Sequence, residues 1–146
     1  MNAYLDTSAL VKRYIEEEHS AATITLIEGA TIRATSLLAR AEIPAAIAQA
    51  SRVGTVSRLA GIEATDLFAD HWPSYTRLAV GEGLVRSAAG LAWERGLRGF
   101  DAVHLATALL LRSQMDEGVT FATFDRALWR AARDEGLDAW PPRWGD

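Results

Sequence analysis

Asp6, Glu42, Asp101 and Asp125 are four acidic residues at four separate punctuation points of this chain. Three of them stand where a short apolar run gives way to a helix-like run: Tyr4-Leu5-Asp6-Thr7-Ser8, Arg98-Gly99-Phe100-Asp101-Ala102 and Thr123-Phe124-Asp125-Arg126. Ligand sites of open α/β sheets lie outside the carboxyl ends of the strands, so these acids converge if those ends are neighbours. Converged carboxylates raise one another's pKa and are tolerated when a hard cation such as Mg²⁺ joins them. Oxygen donors in a chain without cysteine and with only three histidines point to phosphoryl-ester chemistry rather than to zinc.

Each acid also has a structural reading. Asp6, Asp101 and Asp125 each precede a helix-like run, and aspartate is among the best helix N-caps. Glu42 shares a helical face with Leu38 and Ala45, which turns it inward or to the boundary, where a charge needs a partner. A metal cluster would serve, and so would Arg40. Thr7, Ser8 and Thr123 are small hydroxyl residues beside Asp6 and Asp125, suited either to capping and turns or to supporting a carboxylate. His104, three residues after Asp101, falls near the same helix end and reads as a structural hydrogen-bonder.

The elements that must position these residues are legible from periodicity. Ala3–Leu5 reads as a buried strand, 8–18 and 20–28 as helices, and 31–35 as a strand. A long helix over 36–52 carries Glu42, with Leu38, Ala41, Ala45 and Ala48 as its apolar stripe and a bend expected at Pro44. Helix 55–72 and a strand within 75–80 follow. Helix 82–95 has Val85, Ala88, Ala89, Ala92 and Trp93 at helical spacing, and helix 102–115 repeats the pattern. Residues 119–123 read as a strand and 125–135 as a helix capped at Gly136. The proline-rich end, Trp140 to Trp144, reads as extended. Strands alternating with helices predict an α/β fold with a mostly parallel sheet. The division expected is one domain over 1–137 and a C-terminal tail over 138–146.

The length suits one domain with a sizeable core, and the absence of cysteine removes any disulfide framework or thiolate site. No apolar run approaches the ~20 residues of a membrane helix, and the N-terminus lacks a signal-peptide pattern. The expected location is therefore cytoplasmic, without membrane association. A net charge of -4 argues against broad nucleic-acid binding. The cations are nonetheless almost all arginine, 14 against the single Lys12, and arginine suits phosphate. A GC-rich genome explains the same bias.

Leu5-Asp6-Thr7-Ser8 after an N-terminal strand, Arg40-Ala41-Glu42 on a helix, the run from Arg98 to Ala108, and Ala122-Thr123-Phe124-Asp125 together resemble a PIN domain. Within that superfamily the chain is most similar to VapC-type toxins of bacterial toxin-antitoxin pairs, from Asn2 to about Leu137. The segment around Asp101 is the most specific part, and the order and separation of all four acids complete the match. The resemblance implies an α/β/α sandwich and a Mg²⁺- or Mn²⁺-dependent endoribonuclease site. It implies that Asp6 and Asp101 ligate metal, that Asp125 ligates a second ion or holds a water, and that Glu42 binds metal through water or positions the nucleophile. Thr123 matches a supporting hydroxyl position. The cation would lower the pKa of water and offset phosphate charge, giving a 5′-phosphate and a 3′-hydroxyl. The partners implied are an RNA substrate, a small VapB-like antitoxin seated in a groove near helices 8–28 and 36–72, and a second copy in a homodimer.

Competing readings carry specific requirements. An aspartate-based phosphatase wants a second acid where Ser8 stands and a catalytic lysine, and Lys12 lies one helical turn away. A phospho-acceptor signalling domain needs a lysine near the end of the sheet. A degenerate PIN scaffold that only binds protein has no use for four retained acids.

Overall fold

The computed structural model describes residues 1–144 and is built on one five-stranded sheet. Its strands are β1 (Asn2–Leu5), β2 (Ile32–Ser36), β3 (Thr76–Leu78), β4 (Val119–Ala122) and β5 (Asp138–Trp140), in the order β3-β2-β1-β4-β5. All four pairings are parallel, with Tyr4 opposite Ala34 on one side and Phe121 on the other. Seven α-helices accompany the sheet among the described residues: α1 (Thr7–Leu10), α2 (Ser20–Gly29), α3 (Ala39–Arg52), α4 (Arg58–His71), α5 (Glu82–Arg95), α6 (Gly99–Ser113) and α7 (Arg126–Asp134).

The two-residue side-chain period of a strand assigns the layers. Leu5 points to one face, where Leu10 of α1, Ile27 of α2, Ile43 and Ile47 of α3 and Phe68 of α4 pack. Tyr4 points to the other, against Leu105 of α6, Phe121 of β4 and Leu128 of α7. A smaller apolar set joins α5 to α6 through Ala88, Ala102, Val103 and Ala106. This is the expected α/β/α sandwich. Central β1 is buried on both faces, as parallel strands are.

Topology creates the site. The chain builds outward from β1 to β2 and β3, then returns to place β4 and β5 on the other side of β1. The carboxyl ends of β1 and β4 therefore meet where the strand order reverses, the position at which α/β sheets bind ligands. The ladder runs on beyond the strands through Asp6 N–H to Ala122 O, 3.1 Å.

Several local expectations change. Helix 8–18 stops early: α1 tightens into a 3-10 turn, Val11–Arg13, and the chain folds back through Glu16-Glu17-Glu18. Lys12 holds that turn by donating to the Glu17 carboxylate and the Glu18 carbonyl, and Ser20 Oγ donates to Ile15 O. The stripe expected on α3 lies on the wrong face. Ala39, Ile43 and Ile47 are buried, while Ala41, Ala45 and Ala48 are exposed, because bulky isoleucine gains more from burial than alanine. The helix runs on through Pro44. On α5 only Ala88 is buried, and Trp93 is 91% exposed. Asp138–Trp140, read as part of an extended tail, pairs with β4 as an edge strand, and its Trp140 rests edge-on against Phe124. The last two residues of that tail lie outside the described residues.

Candidate active site

Asp6 leaves β1 in extended backbone and caps α1, its Oδ1 accepting from Ala9 N–H at 2.9 Å. It is 3% exposed, so its charge needs partners. Ser8 Oγ donates to Oδ1 at 2.7 Å, and Thr123 Oγ1 donates to Oδ2 at 2.6 Å. The two hydroxyls are themselves fixed: Ser8 Oγ accepts from Phe124 N–H, and Thr123 Oγ1 accepts from Asp125 N–H. The carboxylate after β1 and the turn after β4 thus form one hydrogen-bonded unit. Burial pushes the Asp6 carboxyl above its ordinary value, opposed by the His104 ring and by the three donors.

Glu42 reaches the site from the first turn of α3. Its protein partner is not Arg40 but His104 of α6, Oε1 to Nε2, 2.9 Å. An ionised carboxylate only accepts, so Nε2–H donates to it, and in the neutral ring Nδ1 accepts from the Tyr4 hydroxyl at 2.9 Å. Thr7 Oγ1 stands 3.3 Å from the same Nε2. Burial raises the Glu42 carboxyl, but the hydrogen bond and charge of His104 outweigh it, and Glu42 sits below its ordinary value. The mutual elevation expected of converged carboxylates thus fails at Glu42, because its hydrogen-bonded partner is a histidine. Tyr4 is fixed in turn, stacked on Phe121 with the rings 5° from parallel. No buried side-chain polar atom among the described residues lacks a partner.

Asp101 and Asp125 form the outer half. Asp125 follows β4 and caps α7 by accepting from Leu128 N–H at 2.9 Å. Asp101 does not cap a helix and does not follow a strand. α6 begins two residues earlier, after α5 and a turn at Gly96, whose positive φ of 66° suits glycine. Asp101 therefore projects from the first turn, where a negative charge meets the positive end of the helix dipole. A residue absent from the expected site joins these two acids. Arg98 Nε donates to Asp101 Oδ2 at 3.0 Å, and its Nη2 donates to Asp125 Oδ2 at 3.1 Å. Its side chain is 80% exposed, so both pairs lie at the rim. One signal was available in the sequence: Arg98 is three residues before Asp101, a spacing that pairs side chains on a helix end.

All four acids, with Thr7, Ser8, His104 and Arg98, line one cavity of 260 Å³. Beside it runs a larger groove of 760 Å³, lined by apolar residues of α5 and α6 with Leu38 and Val80, and by Glu42, Arg98 and Asp101. The acids suit a hard divalent cation by donor chemistry, since every donor is a carboxylate oxygen. Their spacing is open: among the described residues no three His, Cys, Asp or Glu are close enough to enclose an ion. The guanidinium of Arg98 bridges Asp101 and Asp125 and supplies positive charge there.

A family model for the PIN domain matches residues 3–134. Ribonuclease VapC45 of Mycobacterium tuberculosis is 33% identical over 138 residues, 94% of each chain. The structure resembles PAE2754 from Pyrobaculum aerophilum with a TM-score of 0.69, at 22% identity, over 95% of this chain and 89% of that one. It also resembles a toxin-antitoxin complex from Klebsiella pneumoniae, with a TM-score of 0.60 at 18% identity, over 84% and 85% of the two chains. With its acids gathered at the reversal of a parallel sheet and a VapC relative matching along nearly its whole length, the chain belongs to the PIN-domain family, as a VapC-type member.

Proposed function

We propose that this protein is a divalent-metal-dependent endoribonuclease, the toxin of a type II toxin-antitoxin pair. The observation that carries the reading is the lining of one cavity by Asp6, Glu42, Asp101 and Asp125 in a chain whose VapC relative is named a ribonuclease. Mg²⁺ or Mn²⁺, when bound, would lower the pKa of water and offset charge on the phosphate. Asp6, Asp101 and Asp125 are the residues that would hold it. Asp6 is the fixed member, since Ser8, Thr123 and Ala9 N–H hold both of its oxygens in place. Glu42, oriented by His104 and Thr7, is set to position the attacking water. Thr7, Ser8 and Thr123 support these carboxylates. Arg98 must leave Asp101 and Asp125 for the acids to close on an ion, and it is then free to meet a phosphate oxygen.

The antitoxin partner follows from the surface beside the acids. The 760 Å³ apolar groove opens onto Glu42 and Asp101, so an amphipathic segment ending in arginine or lysine would fit both parts. This groove lies along α5 and α6 and shares Leu38 and Glu42 with the region expected near helices 8–28 and 36–72. The Klebsiella neighbour is a toxin-antitoxin complex, which supports a partner of this kind. A homodimer and a cytoplasmic location complete the proposal. No helix among the described residues is long and apolar enough to cross a membrane.

Incubation with total RNA tests the function. Cleavage should need Mg²⁺ or Mn²⁺ and stop in excess chelator. Mg²⁺ should also stabilise the protein, by about 2.7 kcal/mol at a hundredfold excess over its dissociation constant. Asp101→Asn should abolish cleavage and most of the Mg²⁺ response without lowering the melting temperature in chelator, because Asp101 pairs only with exposed Arg98. Undiminished cleavage in chelator would sink the metal mechanism.

A further inference from the structure

The chain is acidic overall, yet its last helix and tail carry a one-signed basic face. Arg126, Arg130 and Arg133 of α7 and Arg143 of the tail are exposed and line one shallow cavity of 330 Å³. None of the four pairs with an acid among the described residues. The nearby acids are turned away: Asp134 and Glu135 both pair with Arg95. Buried Trp129 lies beneath this face and half-buried Trp144 beside it. The ring of Trp144 lies 5.7 Å from that of Trp129, and Arg133 sits over Trp129 at 4.8 Å. Trp129 Nε1–H donates to Pro141 O, which pins the tail to the helix.

This arrangement opposes local helix stability. Arg126 stands at the first position of α7, at the positive end of the helix dipole. Like charges at the spacing of Arg126 to Arg130, and of Arg130 to Arg133, repel along one face. A compensating anion is therefore wanted. Arginine forks match phosphate oxygens, and the partly exposed ring of Trp144 can stack on bases of any sequence. α7 also begins directly after Asp125, so the basic face starts at the acid cavity and extends on the order of 13 Å at 1.5 Å per residue.

We propose that α7 and the C-terminal tail form a docking surface for single-stranded RNA, which holds the substrate strand where it leaves the acid cavity. The assignment of the strand as substrate rests on the nuclease reading; the RNA-binding surface itself does not. A cation-π pair and an indole hydrogen bond keep the face in place before RNA arrives, and four guanidinium groups meet the backbone. Direction of binding comes from geometry, since the acids lie only at the start of α7.

The test uses the full chain with Arg130, Arg133 and Arg143 changed together to Gln, which spares Asp125 and its neighbour. Binding of a fluorescent single-stranded RNA is followed by anisotropy in chelator across a salt series, with circular dichroism and melting to show that the variant is folded. The variant should bind about tenfold more weakly, and its log-affinity slope against log salt should fall by about 2, at ~0.7 per phosphate contact. Trp144→Ala alone should weaken RNA binding severalfold but leave binding of a polyglutamate peptide unchanged, and this single change at a tail position serves if the triple variant misfolds. In Mg²⁺ the triple variant should raise KM for long RNA and leave kcat on a short oligonucleotide as in the wild type. Unchanged RNA affinity and salt slope in the folded variant overturn the proposal. So does polyglutamate binding as tightly as RNA, which would make the surface a site for an acidic protein. If the wild type cleaves no RNA in Mg²⁺ yet the variants still lose affinity, the nuclease reading fails and the binding surface stands.

Discussion

The inner and outer halves of the acid cavity hold the same residue types with different partners: buried hydroxyls and a buried histidine in one, a single exposed arginine in the other. Asp6 is buried, and protein donors hold both of its oxygens; beside it a chain of hydrogen bonds runs from buried Tyr4 and His104 out to half-buried Glu42. Asp101 and Asp125 lie at the rim and share one exposed arginine. Ion pairs at such a rim are screened by water and salt and contribute little. Fixed polar groups in the interior act at lower dielectric and cost more to disturb. The difference teaches that the inner half is a rigid template, set by folding, whereas the outer half is adjustable and can exchange its cation.

The largest effect should come from breaking the template. His104→Ala leaves a cavity and strips both Tyr4 and Glu42 of a partner, so it should cost about 3 kcal/mol. Urea unfolding measures this, and a loss below half that size would show the inner half to be less coupled than its geometry indicates. Tyr4→Phe removes only the hydroxyl and leaves Nδ1 of His104 unpaired in the core, for about 1–2 kcal/mol. Arg98→Ala at the rim should leave the unfolding midpoint unchanged in the same assay.

Stability against pH in chelator separates the two inner carboxylates from each other. Asp6 has a folded-state pKa raised above its ordinary 3.8, so its favourable contribution is complete below that value and is lost as pH rises through the raised one. Glu42 has a folded-state pKa lowered below its ordinary 4.5, so its contribution is present above 4.5 and is lost as pH falls through the lowered one. Asp6→Asn should therefore flatten the loss of melting temperature toward neutral pH, and Glu42→Gln should flatten the loss toward acid. Identical profiles for the two variants would mean that the cavity titrates as one undivided cluster.

The smallest effect sharpens the comparison most. Arg98→Ala removes the cation that competes for Asp101 and Asp125, so calorimetric titration should show Mg²⁺ binding a fewfold more tightly than in the wild type. Added salt should narrow that gap, since the Debye length falls from ≈ 10 Å at 0.1 M to ≈ 3 Å at 1 M. Weaker Mg²⁺ binding in the variant would show that Arg98 organises the acids rather than blocking them.

Much of this molecule follows from local sequence. The strand ending at Leu5, the helices over 82–95 and 126–134, and the acids after β1 and β4 are legible because period and capping are short-range signals. The four acids could be named, and their order along the chain carried the family resemblance. Which face of α3 turns inward was not legible, because alanines and isoleucines make two competing stripes and only the facing sheet selects between them. Asp138–Trp140 was not legible as a strand, since three residues carry no period and gain their hydrogen bonds from β4 alone. His104 as the partner of Glu42 joins residues 62 positions apart. Arg98 between Asp101 and Asp125 depends on two turns meeting at the sheet's reversal. The sequence by itself determined the types of chemical group, the elements that carry them and the points where those elements begin. Only the tertiary structure decided which carboxylate is buried, which is paired and by what, because those are long-range contacts, and burial sets the strength of every charge among them.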